Sequence, residues 1–316
     1  MASTVAGMGP RTQLRQRFEA GSVDKHELSR EMREQNRALE DYAHLLKRGE
    51  VASITVVPGE VLVESALAPV RFACDLDDTG APPLVALAQG RYEAEEMGVL
   101  RALLEGAATF LDVGANVGWY ALHAAALFEG LRVLACEPVP RTHTTLARNI
   151  AINDLDVEVL NAAISDAEGE LEIWASPAYS GAASVAPSRS YEGAEPVRCA
   201  STTLDSVVTS RGLKVDVLKA DVEGGELAVI QGGLEMIERD RPAIMLEMLR
   251  IHAAPFGYHP NDVIDLLAER GYESYAVTEG VGIVPFSRMD DATRATNFFF
   301  VQPDRHGEAL AALRAR

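Results

Sequence analysis

Residues 110–118 read Phe-Leu-Asp-Val-Gly-Ala-Asn-Val-Gly, an apolar strand that runs into a turn with glycine at Gly114 and Gly118. The next apolar run, Leu131-Arg-Val-Leu-Ala-Cys136, ends on a carboxylate, Glu137. Together they constrain the fold more than any other feature of the chain. A doubly wound α/β sheet holds an adenosine-bearing cofactor with these parts. The first strand points its carboxyl end at the ligand, the glycines admit backbone, and the acid closing the second strand accepts from ribose hydroxyls.

The spacing separates two cofactor types. A dinucleotide site uses Gly-x-Gly-x-x-Gly, whose second glycine lets the helix start approach a pyrophosphate. Here Asn116 stands at that position, and Asp112 precedes the first glycine. A carboxylate is a poor neighbour for pyrophosphate and a good one for a cationic amino group. S-Adenosylmethionine, with a sulfonium, an ammonium and a ribose diol but no phosphate, suits the loop better than NAD does.

The chain has 316 residues, 47 acidic and 29 basic, for a formal net charge of −18. Residues 1–50 are nearly balanced, with nine Lys/Arg against eight Asp/Glu, so the deficit belongs to the remainder. Such a surface repels phosphate backbones and argues against a nucleic-acid partner. The cysteines, Cys74, Cys136 and Cys199, are odd in number and lack a Cys-x-x-Cys. They read as core thiols in a reducing compartment. With no apolar signal core and no run near the ~18 residues of a membrane span, the expected location is the cytoplasm.

Residues 1–24 carry little pattern and are expected to be mobile. From about Asp24 to Arg48, Leu28, Met32, Gln35, Leu39, Tyr42 and Leu46 alternate spacings of four and three. That seam is expected to pack on its own domain, with a coiled-coil homodimer as the alternative. Residues 52–75 read as a small β element with a turn at Pro58-Gly59. A helix over about Glu93–Leu104 leads into the cofactor strand. Beyond Glu137 come a helix from Pro140 to about Asn153, a third strand over Val157–Ile164 and a hairpin arm at Glu170–Trp174. Residues 176–196 are expected to form a long loop, used as a lid over the active site, with disorder as the alternative. A fourth strand at Val215–Ala220, a helix to about Glu238, a fifth strand ending at Glu247, a helix at about Pro260–Arg270 and two closing strands complete a seven-stranded sheet. The expected division is an accessory region at 1–90, a cofactor-binding domain at 91–303 and a tail at 304–316.

The residues resemble the FkbM family of S-adenosylmethionine-dependent methyltransferases over about 90–303. The resemblance rests on Asp112–Gly118, Glu137-Pro138, Ala162–Asp166 and above all Leu218-Lys-Ala-Asp-Val-Glu-Gly-Gly-Glu226. It implies a class I methyltransferase (Rossmann-like) α/β fold with the final strand antiparallel. It also implies O-methylation of a hydroxyl on a sugar or polyketide-type natural product. By position, Asp112, Gly114, Asn116 and Gly118 would surround the methionine part of the cofactor, Glu137 would take the ribose, and Ala163 would line the adenine, with Asp166 nearby.

An alcohol that accepts a methyl group must lose its proton, to a general base or with the help of a metal. Asp221 and Glu223 follow the fourth strand and Glu247 ends the fifth, so the three converge if the strands are neighbours ~4.8 Å apart. Crowded carboxylates make a usable base, and the same oxygens suit Mg²⁺; the sequence leaves base and metal open. Glu223 could instead cap the following helix. His252, in a loop over the same edge, is a further candidate base. His259 reads as a helix-start residue and His123 as packing. The expected acceptor is a small hydroxyl-bearing metabolite. The rivals are N-methylation, a non-catalytic cofactor-binding subunit and an NAD-dependent reductase.

Overall fold

The computed structural model describes residues 9–47, 49–185, 193–278, 280 and 282–315. The chain divides into two compact units, residues 1–49 and 50–316. The first holds α1 (Pro10–Glu19) and α2 (Lys25–Leu45). Asp24 caps α2 by accepting from the N–H groups of His26 and Glu27, and Arg17 reaches Glu27 and Glu31 across the pair. The mobile start expected over 1–24 is therefore corrected from residue 10 onward, where Pro10 opens a helix anchored by buried Leu14. Residues 1–8 lie outside the described residues. The first half of the α2 seam, Leu28, Met32 and Gln35, faces Leu14 and Phe18 of α1. Met32, Leu39 and Tyr42 are 47, 58 and 43 % exposed, and α2 buries no residue.

In the second unit β1 (Val51–Val57), β2 (Glu60–Ser65) and β3 (Arg71–Cys74) form an antiparallel sheet. Then follow α3 (Pro82–Gln89), α4 (Ala94–Leu104), β4 (Thr109–Val113), α5 (Trp119–Leu127), β5 (Arg132–Cys136), α6 (Pro140–Asn153) and β6 (Val157–Leu160). Next come β7 (Ala163–Ile164), β8 (Gly169–Ser176), β9 (Tyr179–Ser184), β10 (Glu195–Thr202), α7 (Leu204–Arg211) and β11 (Val217–Ala220). The chain ends with α8 (Glu226–Gln231), α9 (Leu234–Asp240), β12 (Ala243–Glu247), α10 (Arg250–Ala253), α11 (Pro260–Ala268), β13 (Glu273–Thr278), β14 (Gly282–Pro285), β15 (Asn297–Val301) and α12 (Pro303–Arg314). His259 caps α11 in a capping box with Asp262.

The fold is α/β, with a central sheet in the order β14-β13-β15-β12-β11-β4-β5-β6. Strands β6, β5, β4, β11 and β12 are parallel, and the final strand β15 enters antiparallel between β12 and β13. Eight strands replace the expected seven, because residues after β13 turn back as the edge strand β14. Leu111, Leu134, Leu218, Ile244 and Phe298 are fully buried along the sheet, as both faces of a largely parallel sheet require.

Four further expectations are corrected. The third strand breaks at Asn161, whose side-chain amide donates to the carbonyls of Glu137 and Pro138; β6 stays in the central sheet while β7 pairs with β10. Among the described residues of the expected loop at 176–196, most are strand: β9 and the start of β10 flank β8 in a second sheet, β7-β10-β8-β9. The small, polar run Tyr-Ser-Gly-Ala-Ala-Ser hides that strand because it lacks apolar alternation; residues 186–192 lie outside the described residues. The helix to Glu238 breaks into α8 and α9 at Gly232-Gly233, where a Cβ on Gly232 would stand 2.0 Å from the Ser165 carbonyl oxygen. The chain past residue 303 is no loose tail, since α12 buries Leu310 and Leu313.

The β1–β3 sheet belongs to the second unit rather than to an accessory region. Asn149 and Asn153, one turn apart on α6, accept from the N–H groups of Ala73 and Arg71, satisfying β3 where it has no strand partner. Buried His123 adds a second tie. Its Nδ1 lies 2.5 Å from the Trp119 carbonyl and must donate, so Nε2 accepts from the Ser65 hydroxyl at 2.7 Å. Burial lowers this imidazole to about 4. As read from sequence, His123 is packing.

Candidate active site

A cavity of about 270 Å³ opens where β4, β5 and β11 end. The β4 loop is wound tightly to form its floor. The N–H groups of Gly114 and Ala115 both donate to the Cys136 carbonyl, and Asn116 takes a left-handed φ of 50°. Gly114, at φ 75°, is obligatory: a Cβ there would lie 1.8 Å from the Asp221 carbonyl oxygen. Glu137 closes the far side. Its oxygens accept from the N–H groups of Asn116 (3.0 Å) and Val139 (2.9 Å), which leaves lone pairs on both for a diol. Burial pushes its carboxyl up to about 7, against those two hydrogen bonds.

Gly114, Asn116, Glu137 and Ala163 line the cavity, as does Asp166. Asp112 and Gly118 do not. Asp112 is fully buried behind the loop with Lys219 Nζ 3.5 Å from its Oδ1. Gly118, at φ 96°, lets α5 start close to α6, since a Cβ would meet the Leu122 and Leu146 side chains at 2.3 and 2.7 Å. Strand β9 roofs the cavity. Ser180 Oγ donates to Asn116 Oδ1 (3.1 Å) and Ser184 Oγ to the Glu223 carbonyl (2.6 Å).

Asp221 and Glu223 line the other end of the cavity. Asp221, Glu223 and Glu247 each place a carboxylate oxygen within 4.8 Å of the other two. Buried Lys219 stands among the acids, with Nζ 3.4 Å from Asp221 Oδ2 and 3.4 Å from the Gly114 carbonyl. Burial alone would lower this ammonium, but Asp221 and Asp112 outweigh it and hold it above its ordinary value. Burial, and then Asp221, raise Glu247 well above the usual carboxylate range.

His252 meets this cluster through Glu223, with Nδ1 2.6 Å from Oε2. Donation to the Glu223 carboxylate raises the imidazole, while burial raises Glu223. Glu223 does not cap the helix after β11. That helix has no side-chain cap; Glu226 instead braces the loop before it, accepting from the N–H groups of Val222 and Gly224. Gly224 lets the two loops touch, because a Cβ would lie 2.4 Å from the His252 carbonyl oxygen. Sequence reasoning missed Lys219 as the counter-charge and Glu226 as the brace, although both stand inside the 218–226 motif. It also missed Ser180 and Ser184, for which it held no signal.

With this geometry in view, comparison with known proteins adds a decisive match. The methyltransferase FkbM domain model matches residues 112–274. The chain belongs to the FkbM methyltransferase family. Methyltransferase sdnD of Sordaria araneosa is 26% identical over 193 residues, 52% of this chain and 73% of that protein. The hexuronic acid methyltransferase AglP of Haloferax volcanii is 33% identical over 178 residues, 55% of this chain and 68% of that one. A solved FkbM methyltransferase from Methylobacillus flagellatus is similar at 15% identity and a TM-score of 0.38, over 61% of this chain and 43% of its own. Among the described residues of this FkbM protein, no helix is long and apolar enough to cross a membrane.

Proposed function

We propose that this FkbM protein is an S-adenosylmethionine-dependent O-methyltransferase acting on a hydroxyl of a small metabolite, a sugar or a polyketide-type natural product. One observation carries the reading. A cavity with a diol-accepting acid at one end and two carboxylates at the other has no lysine or arginine among the described side chains that line it. That donor set fits a cofactor with a cation and a ribose, and leaves a pyrophosphate without a partner, against a dinucleotide.

Glu137 would hold the ribose, Ala163 and Asp166 would flank the base, and Gly114 and Asn116 would bring backbone to the methionine part. When bound, the cofactor supplies an electrophilic methyl on sulfur. The acceptor hydroxyl proton would pass to the Asp221 carboxylate as the new C–O bond forms and the methyl–sulfur bond breaks, leaving neutral S-adenosylhomocysteine. Glu247 would share that proton, and His252, oriented through Nδ1 by Glu223, would connect the cluster to solvent, since its side chain is 28 % exposed. In-line positioning between the two ends supplies much of the rate, roughly 7–11 kcal/mol for well-oriented reactions.

The three carboxylates are also spaced for a hard divalent cation. Lys219 already supplies positive charge at Asp221, which favours the acid–base reading. A rate unchanged by chelator supports it, and loss restored by Mg²⁺ transfers the cluster to a metal. The test of the whole reading is a product-mass screen for one added methyl on candidate sugars and polyketides. Asp221→Asn and Glu247→Gln are then expected to lower turnover by about 10²–10⁴-fold, with donor affinity by calorimetry nearly unchanged. Turnover at the parent rate in both variants would make the cluster structural. Methylation confined to amines would favour N-methylation, and a protein that never forms S-adenosylhomocysteine would be a non-catalytic subunit. The net charge of −18 supports an acceptor other than nucleic acid, and the exposed seam of α2 leaves room for a homodimer.

A further inference from the structure

Five described non-glycine residues have a positive φ: Glu93, Asn116, Asp154, Glu223 and Arg241. Asp154 and Arg241 terminate α6 and α9, an ordinary use of the left-handed conformation. Asn116 and Glu223 line the cavity. Glu93 remains. It stands at the N-cap of α4 with φ 48°, yet its side chain caps no N–H of that helix. A non-glycine residue there is strained, and such backbone persists where surrounding contacts hold it, often at functional sites.

The contacts that hold Glu93 run toward the site. Its Oε2 accepts from the Tyr120 hydroxyl at 2.7 Å, and its Oε1 accepts from the Asn297 amide at 3.0 Å. Tyr120 lies in the first turn of α5, directly after the cofactor loop, and Lys219 Nζ sits 5.0 Å from its ring centre. Asn297 is buried and stands directly opposite Glu247 in the β12–β15 ladder. Burial, and then the nearby Asp221, raise the Glu93 carboxyl. One side chain therefore joins the helix behind the donor loop to the strand partner of the acid cluster. Three separate elements meet at its two oxygens.

We infer that Glu93 is a positioning residue for methyl transfer, fixing Glu247 and its neighbours relative to the donor through Asn297 and Tyr120. This rests on the cofactor reading above. Glu93 itself touches neither donor nor acceptor; it sets where the negative charge stands when the cationic centre arrives.

Two donor analogues test this without a known acceptor. Sinefungin carries an ammonium-bearing carbon where the donor has its methylsulfonium, and S-adenosylhomocysteine is neutral there. Calorimetry on the full chain is expected to show sinefungin binding at least tenfold tighter. Glu93→Gln should cut that preference at least threefold and leave S-adenosylhomocysteine affinity within twofold. The double variant E93Q/N297D, which returns a carboxylate to the same hydrogen bond from the other side, should restore most of the preference. An unchanged preference in E93Q overturns the inference. So does an equal loss for both ligands, which would mark a purely structural tie. Should E93Q fail to fold, Asn297→Ala cuts the same link and is read the same way. If the parent binds neither ligand, the cofactor reading itself falls, a result distinct from an unmoved ratio.

Discussion

At β4 and β5 the sheet edge offers backbone, small side chains and one acid whose two oxygens are already engaged by N–H groups. At β11 and β12, one strand away, it crowds Asp221, Glu223 and Glu247 around a single buried ammonium. The first region can bind a ligand with little change in its own protonation beyond Glu137. The second gathers three carboxylates beside Lys219 and His252, which suits it to the proton sharing proposed above. The contrast teaches that hydrogen-bonding groups and crowded acids are divided along the edge, and that Lys219, which touches Gly114, Asp112 and Asp221, joins the two.

Removing that joint should have the largest effect. Lys219→Met leaves Asp112 and Asp221 uncompensated, and loss of one partner of a buried ion pair costs about 3–5 kcal/mol. Urea unfolding should show an unfolding free energy lower by that amount, and an unmoved midpoint would mean that the pair carries no net charge interaction. Next comes Glu137→Gln, expected to weaken donor binding by about 1.5–3 kcal/mol, the scale of hydrogen bonds to a charged group. It should leave the acid cluster's contribution intact.

The same residue predicts a pH dependence. With its carboxyl at about 7 in the ligand-free protein, protonation below that pH removes an acceptor lone pair. Donor affinity should fall by up to about tenfold per pH unit under 7 and level off above it, and Glu137→Gln should flatten the profile. The sign for stability is opposite. The folded value lies above the ordinary 4.5, so the ligand-free fold binds the proton more tightly than the unfolded chain. Its contribution is present below 4.5 and lost as pH rises through 7. A donor affinity independent of pH would remove Glu137 from the ribose site. The smallest effect belongs to Ser180→Ala, which deletes one neutral hydrogen bond worth about 1 kcal/mol. Stopped-flow measurement should show donor dissociation several-fold faster, and an unchanged rate would mean that β9 gives way elsewhere first.

What the sequence made legible follows periodicity and local chemistry. The strand ending at Asp112-Val113, the acid Glu137, the Pro140 helix start and the His259 cap all declare themselves within a few residues. The carboxylates Asp221 and Glu247 could be placed together because adjacent parallel strands bring their ends together. The rest depended on partners far along the chain. Strand β9 carries no readable apolar alternation because it packs through small side chains, Ala183 against the Val139, Ala163, Ile173 and Cys199 cluster, between serines that bond polar groups. The contacts of Glu93 lie 27 and 204 residues away, beyond any local pattern. Asp112 looked like a cofactor acid because it precedes the glycine turn, yet strand alternation turns it toward Lys219.

Strand β9 is pinned at Asn116 on one bank and Glu223 on the other, spanning both halves of the cleft like a footbridge. In the proposed cycle a donor and its spent product would pass beneath it. Each crossing would then detach at least one mooring, which sets the microsecond-to-millisecond range of loop opening beside the bond that moves as a second clock for turnover.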